Sequence, residues 1–293
     1  MLGKKKETAG AKPPSAPKPK PVNLERRFSL VSECAQGSMS RVYRALDNET
    51  GRTVCVKVQH KEKTEAAIAR TVKEGRLSEG EIAIQIMHPH VVRTYEFGET
   101  TKREKYLVME FIDGLSIVFL RESRALTYDR KLEVLAQAAE ALAAVHEKGF
   151  IHHDFGPKNL LVNRDGQVKL IDFGLAVPNT PAFRRPGNRT GTLQYMAPEL
   201  LRREPTDERI DIFSFGVTAF ELLTDKLPYD ATTSMAMMLQ RINSDPKDPA
   251  RANPRLGPEV CEFLRKVTAR RREDRYASMT DVSAALKSLS EPG

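Results

Sequence analysis

From Phe28 onward the chain alternates apolar and polar residues with the two-residue period of half-buried strands, in "FSLVSECA", "SRVYRALD" and "RTVCVKVQ". Turn signals separate these runs at Gln36-Gly37-Ser38 and at Asp47-Asn48-Glu49-Thr50-Gly51. A polar stretch follows, then a helical pattern over residues 76–87, weakened by Gly75 and Gly80. "VVRTYEFGE" and "KYLVMEFI" predict two more strands. Beyond Asp113-Gly114 the period changes. "YDRKLEVLAQAAEALAAVHEKG" spaces its apolar residues by three and four and stops at Gly149, which predicts a long amphipathic helix. Two short strands follow ("NLLVN" and "VKLIDF"), then an irregular loop rich in Arg, Pro and Gly, and the remainder reads as mostly helical.

A β-rich part of about 85 residues thus precedes an α-rich part of about 175, which predicts an α+β fold in two lobes. The join lies near Asp113-Gly114, and ligands favour such junctions. The 293 residues are 40% apolar and 29% charged, the make-up of a globular protein. No apolar run approaches the ~18 residues of a membrane helix. The N-terminus also lacks the apolar core of a secretory signal. Cys34, Cys55 and Cys261 are odd in number and not in metal-ligand spacing, so a reducing, cytoplasmic setting is expected.

The net charge of +8 is concentrated at one end. Residues 1–22 hold six lysines against Glu7, and the rest of the chain is close to ordinary. That end is rich in proline and almost free of large apolar side chains. It cannot bury enough surface to offset its ordering entropy, so residues 1–24 are expected to form a disordered tail. A solvated linker is the simple reading, and a weak contact with an acidic partner is the alternative. Nothing points to specific nucleic-acid recognition.

Five short motifs carry the chemistry: "VCVK", "HHDFGPKN", "DFG", "GTLQYMAPE" and "DIFSFG". Each alone is weak, but their order and spacing over nearly the whole chain after the tail resemble the eukaryotic-type protein kinase family. The wording "GSMSRVYRALD" looks more like its bacterial serine/threonine branch. The resemblance implies a kinase domain over residues 25–289, with a small lobe over about 25–112 and a larger one over about 115–289. It also implies ATP and Mg²⁺ as cofactors and proteins bearing Ser or Thr as substrates.

The same resemblance assigns roles to residues. Phosphoryl transfer asks the protein mainly to hold phosphates and metal in line with an acceptor hydroxyl. Lys57 would reach the α- and β-phosphates, with Glu79 as its helix partner and Glu81 and Glu74 as the alternatives. Asp172 and Asn159 would hold the metal, and Asp154 would orient the acceptor hydroxyl and take its proton. Ala35, Gly37, Ser38 and Val42 would belong to the loop over the phosphates. Cys55 would roof the adenine, Met109 would guard the back pocket, and Glu110 and Ile112 would offer backbone hydrogen bonds. Thr192 would lie near Asp154, Glu199 would pair with Arg275, Asp211 would brace the catalytic loop, and His152 would be a packed, hydrogen-bonded residue.

The chain departs from the family at three places. Only Gly37 of the three usual loop glycines is present, His153 stands where an Arg is common, and Gly156 stands where these enzymes usually carry a Lys. Lys158, four residues after Asp154, is then the candidate for the missing catalytic charge. Three readings follow: an active Ser/Thr kinase, a pseudokinase acting as a nucleotide-binding scaffold, and a small-molecule phosphotransferase. Lys57, Asp154, Asn159 and Asp172 are all present, which favours the first over the second, and "GTLQYMAPE" argues against the third.

Overall fold

The computed structural model describes residues 20–36, 39–62, 76–186, 190–230 and 242–290. A single-turn helix α1 (Leu24–Arg27) leads into β1 (Phe28–Gln36), β2 (Ser40–Asp47) and β3 (Thr53–Gln59). After helix α2 (Glu79–Ala83), strands β4 (Thr94–Glu99) and β5 (Lys105–Glu110) complete an antiparallel sheet in the order β1-β2-β3-β5-β4. β3 lies at its centre, and Val54, Val56, Lys57 and Val58 are all buried there.

The second part opens with β6 (Gly114–Ser116) and helix α3 (Ile117–Glu122). Helix α4 (Tyr128–Glu147) is capped by Thr127, whose side chain accepts the Arg130 N–H, and the chain turns at Gly149 with φ +76°. Its buried stripe of Leu132, Leu135, Ala138, Leu142 and Val145 repeats at three and four residues and lies in the main core. Four short strands follow, β7 (Phe150–Ile151), β8 (Leu160–Asn163), β9 (Val168–Leu170) and β10 (Val177–Pro178). Helices α5 (Pro198–Arg202), α6 (Arg209–Thr224), α7 (Pro249–Ala252), α8 (Pro258–Val267) and α9 (Met279–Ser290) complete the described chain. α6 is buried along nearly all its length, the mark of a central core helix. The α+β architecture expected from periodicity is therefore present.

Several local expectations need correction. The helix expected over 76–87 is only Glu79–Ala83 among the described residues. It starts late because Ser78 accepts the Glu81 N–H and Glu81 accepts the Ser78 N–H, which fixes the N-terminus there. The strand expected from Val91 starts at Thr94, because the Val92 N–H and the Val91 bridge are spent on Leu170 of β9. β6, α3, β7 and β10 are too short for periodicity to reveal. Of the expected tail, residues 1–19 lie outside the described residues, while the Val22 N–H already donates to the Glu99 carbonyl at 2.9 Å. All three cysteines are free, and no helix among the described residues is long and apolar enough to cross a membrane.

Candidate active site

Lys57 and Asp172 lie 115 residues apart in sequence and meet between the sheet and the helical part. The Lys57 ammonium donates to Glu79 Oε1 at 2.7 Å and to Asp172 Oδ1 at 2.9 Å. Burial works to lower the Lys57 pKa, but the two carboxylates prevail and raise it. Partial burial likewise works to raise Asp172, yet the Lys57 charge and hydrogen bond and the Gly174 N–H bring it down to about 2. Both groups are charged at neutral pH. Of the three acidic candidates for the Lys57 partner, Glu79 is the one in contact. Glu81 is spent on the Ser78 cap, and Glu74 lies outside the described residues.

The loop at 152–159 is hung from α6. Asp211, fully buried, accepts the backbone N–H groups of His152 at 2.7 Å and His153 at 2.9 Å, and the His146 ring at 2.9 Å. These bonds hold His153 at φ +67°, a conformation that would otherwise be strained. The His152 ring packs between Phe155 and Phe173, with centroids at 6.3 and 5.3 Å, and its Nδ1 accepts the Asp154 N–H at 3.3 Å. Burial pushes its pKa down, so it is a neutral packed residue as expected. Burial also pushes His153 down to about 4. His146 was not singled out by the sequence, since a His in the last turn of α4 looks like an ordinary helix end.

Asp154 is saturated with donors. Oδ1 accepts both the N–H and the hydroxyl of Thr192 at 2.8 Å, and Oδ2 faces the Lys158 ammonium at 2.8 Å. The Asn159 amide nitrogen donates to the Asp154 carbonyl at 2.8 Å. Thr192 is held close by Gly191, which adopts φ +118° against the His153 carbonyl. A Cβ at Gly191 would lie 2.5 Å from that oxygen, so only glycine fits.

On the nucleotide side, Val42 of β2 pairs with both Ala35 and Lys57. Gly37 and Ser38 lie outside the described residues. Cys55 pairs with Met109 across β3 and β5, and burial pushes its thiol up to about 12, so it is an unreactive wall. Met109 and Ile112 are half-buried against the main core. The Glu110 N–H is taken by the Arg93 carbonyl at 2.9 Å, and its carboxylate accepts the Arg93 N–H and the Lys169 ammonium. That ties the strand-end segment to β9, three residues before Asp172.

On the opposite side, Tyr195 lies over Gly156, where an added Cβ would sit 3.6 Å from its ring. The Tyr195 hydroxyl donates to Glu221 at 2.7 Å, and Glu221 also pairs with Arg121. A cavity of about 560 Å³ opens beside this pair, lined by charges of both signs. Glu199 and Arg275 form a buried two-pronged pair at 2.7 and 2.8 Å.

The donor set near Asp154 fits a magnesium ion. Asp172 supplies a carboxylate held charged, and the Asn159 nitrogen is spent on Asp154, which leaves its amide oxygen for a cation. Mg²⁺ needs only one or two protein oxygens when phosphates complete its shell.

A family model described as protein kinase domain matches residues 28–286. The chain is 32% identical over 270 residues to the probable serine/threonine-protein kinase pknA2 of Bifidobacterium longum, covering 92% of this chain and 35% of that protein. It is 31% identical over 281 residues to the serine/threonine-protein kinase PknB of Mycolicibacterium smegmatis, covering 91% and 43%. PknB of Mycobacterium tuberculosis is 30% identical over a stretch of the same length. The chain therefore spans less than half the length of these relatives.

Proposed function

Since the chain belongs to the protein kinase domain family, we propose that it transfers the γ-phosphoryl group of Mg-ATP to serine and threonine hydroxyls of protein substrates. Residues from about 25 to 289 would form the working unit. The observation that carries this reading is the Lys57 ammonium bridging Glu79 and Asp172 at 2.7 and 2.9 Å. That arrangement fixes a positive charge next to the carboxylate that would bind the metal, which is what a triphosphate requires. Asp172 and Asn159 would hold Mg²⁺, which when bound neutralises phosphate charge.

The remaining roles fall to the chain itself. Asp154 would orient the acceptor hydroxyl and take its proton, and the Thr192 hydroxyl already donates to it at 2.8 Å. Lys158, beside the same carboxylate, would supply the charge absent at Gly156. Cys55 and Met109 would line the adenine site, with Glu110 and Ile112 along its edge, and Val42 would belong to the loop over the phosphates. The three free thiols fit a reducing, cytoplasmic setting.

Incubation with γ-labelled ATP, Mg²⁺ and a basic protein, read by phospho-amino-acid analysis, tests the reading. Label on phosphoserine and phosphothreonine is expected. Nucleotide binding without transfer would favour a scaffold instead, and label found only on a small molecule would favour another phosphotransferase.

A further inference from the structure

Lys57 and Gln59 are two residues apart on β3, so their side chains leave the same face of the strand. They grip one carboxylate. Lys57 Nζ donates to Glu79 Oε1 at 2.7 Å, and Gln59 Nε2 donates to Glu79 Oε2 at 3.2 Å. Glu79 thus has both oxygens held from a single central strand. Its own helix is a poor anchor. α2 is five residues long, has Gly80 in its first turn, and owes its start to the Ser78–Glu81 box. A single turn of helix has no stability of its own in water.

The chemistry at position 59 suits the task. A carboxamide donates to a carboxylate without adding charge, so it does not compete with Lys57 for Glu79. An Arg or Lys there would draw Glu79 away, and an aliphatic residue would leave Oε2 free to swing. We propose that Gln59 is a positioning residue that fixes Glu79 on Lys57, and through it keeps the Lys57 ammonium directed at Asp172 and the phosphates. The idea rests on the kinase reading for its functional consequence, but the hold on Glu79 is testable without it.

Gln59→Leu and Gln59→Glu separate positioning from general stability. In Gln59→Leu, kcat/KM for ATP should fall about tenfold, on the scale of losing one hydrogen bond to a charged group, with KM for the basic protein substrate and Tm unchanged. Amide hydrogen exchange over residues 79–84 should quicken by a similar factor, and this readout does not depend on activity. Gln59→Glu sets a second carboxylate against Glu79. Its activity relative to the parent should fall at least as far as that of Gln59→Leu, because the two carboxylates repel each other and compete for Lys57. Exchange and kcat/KM for ATP both within about twofold of the parent would overturn the proposal. So would a loss shared equally by the KM for the basic protein and Tm, because that would assign Gln59 to general stability. A parent that transfers no phosphate would sink the kinase reading alone, and the exchange comparison would still decide whether Gln59 holds Glu79.

Discussion

Lys158 sets its ammonium 2.8 Å from Asp154 Oδ2, four residues further along the same loop. The turn Pro157–Asn159 folds the chain back so that the two side chains meet. Lys158 is 52% exposed, so the pair contributes little to stability and stays open to the cleft. A point charge on a flexible stem, next to the carboxylate proposed to orient the acceptor hydroxyl, would act on the transferring phosphoryl group.

Lys57→Met and Asp172→Asn should each abolish phosphotransfer while the protein still melts cooperatively. Asp172 adopts φ +67°, which Asn tolerates, so the second variant removes charge and leaves the backbone in place. Steady-state turnover beside thermal melting checks this. Substantial activity in either variant would remove the roles assigned to the pair.

Arg275→Met should leave the Glu199 carboxylate buried without its two-pronged partner. Breaking one side of such a pair costs about 3–5 kcal/mol. In a chain of this size that is a fall in Tm of roughly 10 °C. A calorimetric scan measures it, and a change of only a degree or two would mean the pair is solvated.

The strands of the first sheet and helix α4 were legible because their periodicity matches their burial. What failed to show were features that exist only between elements. Gly80 looks like a helix breaker, yet a Cβ there would lie 2.4 Å from Phe97, so its small size serves the packing of α2 against β4. The five-motif order singled out Lys57 and Asp172, which meet at 2.9 Å, and Asp154 and Asn159, which meet at 2.8 Å. The contacts of Gln59, His146 and Tyr195 were not legible, because each meets a partner at least 20 residues away; Gln59 and His146 stand outside the five motifs, and Tyr195, though inside "GTLQYMAPE", shows no sign there of its bond to Glu221.

His153 gives the protein a pH-dependent stability. Its pKa falls from an ordinary value to about 4 in the fold, so below about pH 6.5 the unfolded chain binds a proton that the native state refuses. Stability from this group is complete above about pH 6.5, is lost as pH falls, and levels off below about pH 4. By about pH 5 the loss is about 2 kcal/mol. His153→Asn, which tolerates the same positive φ, should flatten the Tm profile between those limits. An unchanged slope would contradict the assignment.

Because His153 is neutral at pH 7 and lacks a guanidinium fork, it is a poor clamp for a phosphate on the 173–197 loop. Phosphatase-treated protein should therefore keep most of its activity. Loss of all activity, restored by phosphorylation of Thr190, would contradict this.

On the proposed function, the loop from Asp154 to Asn159 is rearranged and working. The backbone does not require glycine at 156, since φ is 177° and an added Cβ would make ordinary contacts with Tyr195 at 3.6–3.7 Å. Gly156→Lys is therefore admissible as a rescue. The decisive measurement is kcat for Lys158→Ala beside the parent, Asp154→Asn, and the double variant Lys158→Ala with Gly156→Lys. Lys158→Ala should lower kcat about 10²-fold with KM for ATP nearly unchanged, and the double variant should restore part of it. Turnover of Lys158→Ala equal to the parent's, or a parent no faster than Asp154→Asn, would contradict it.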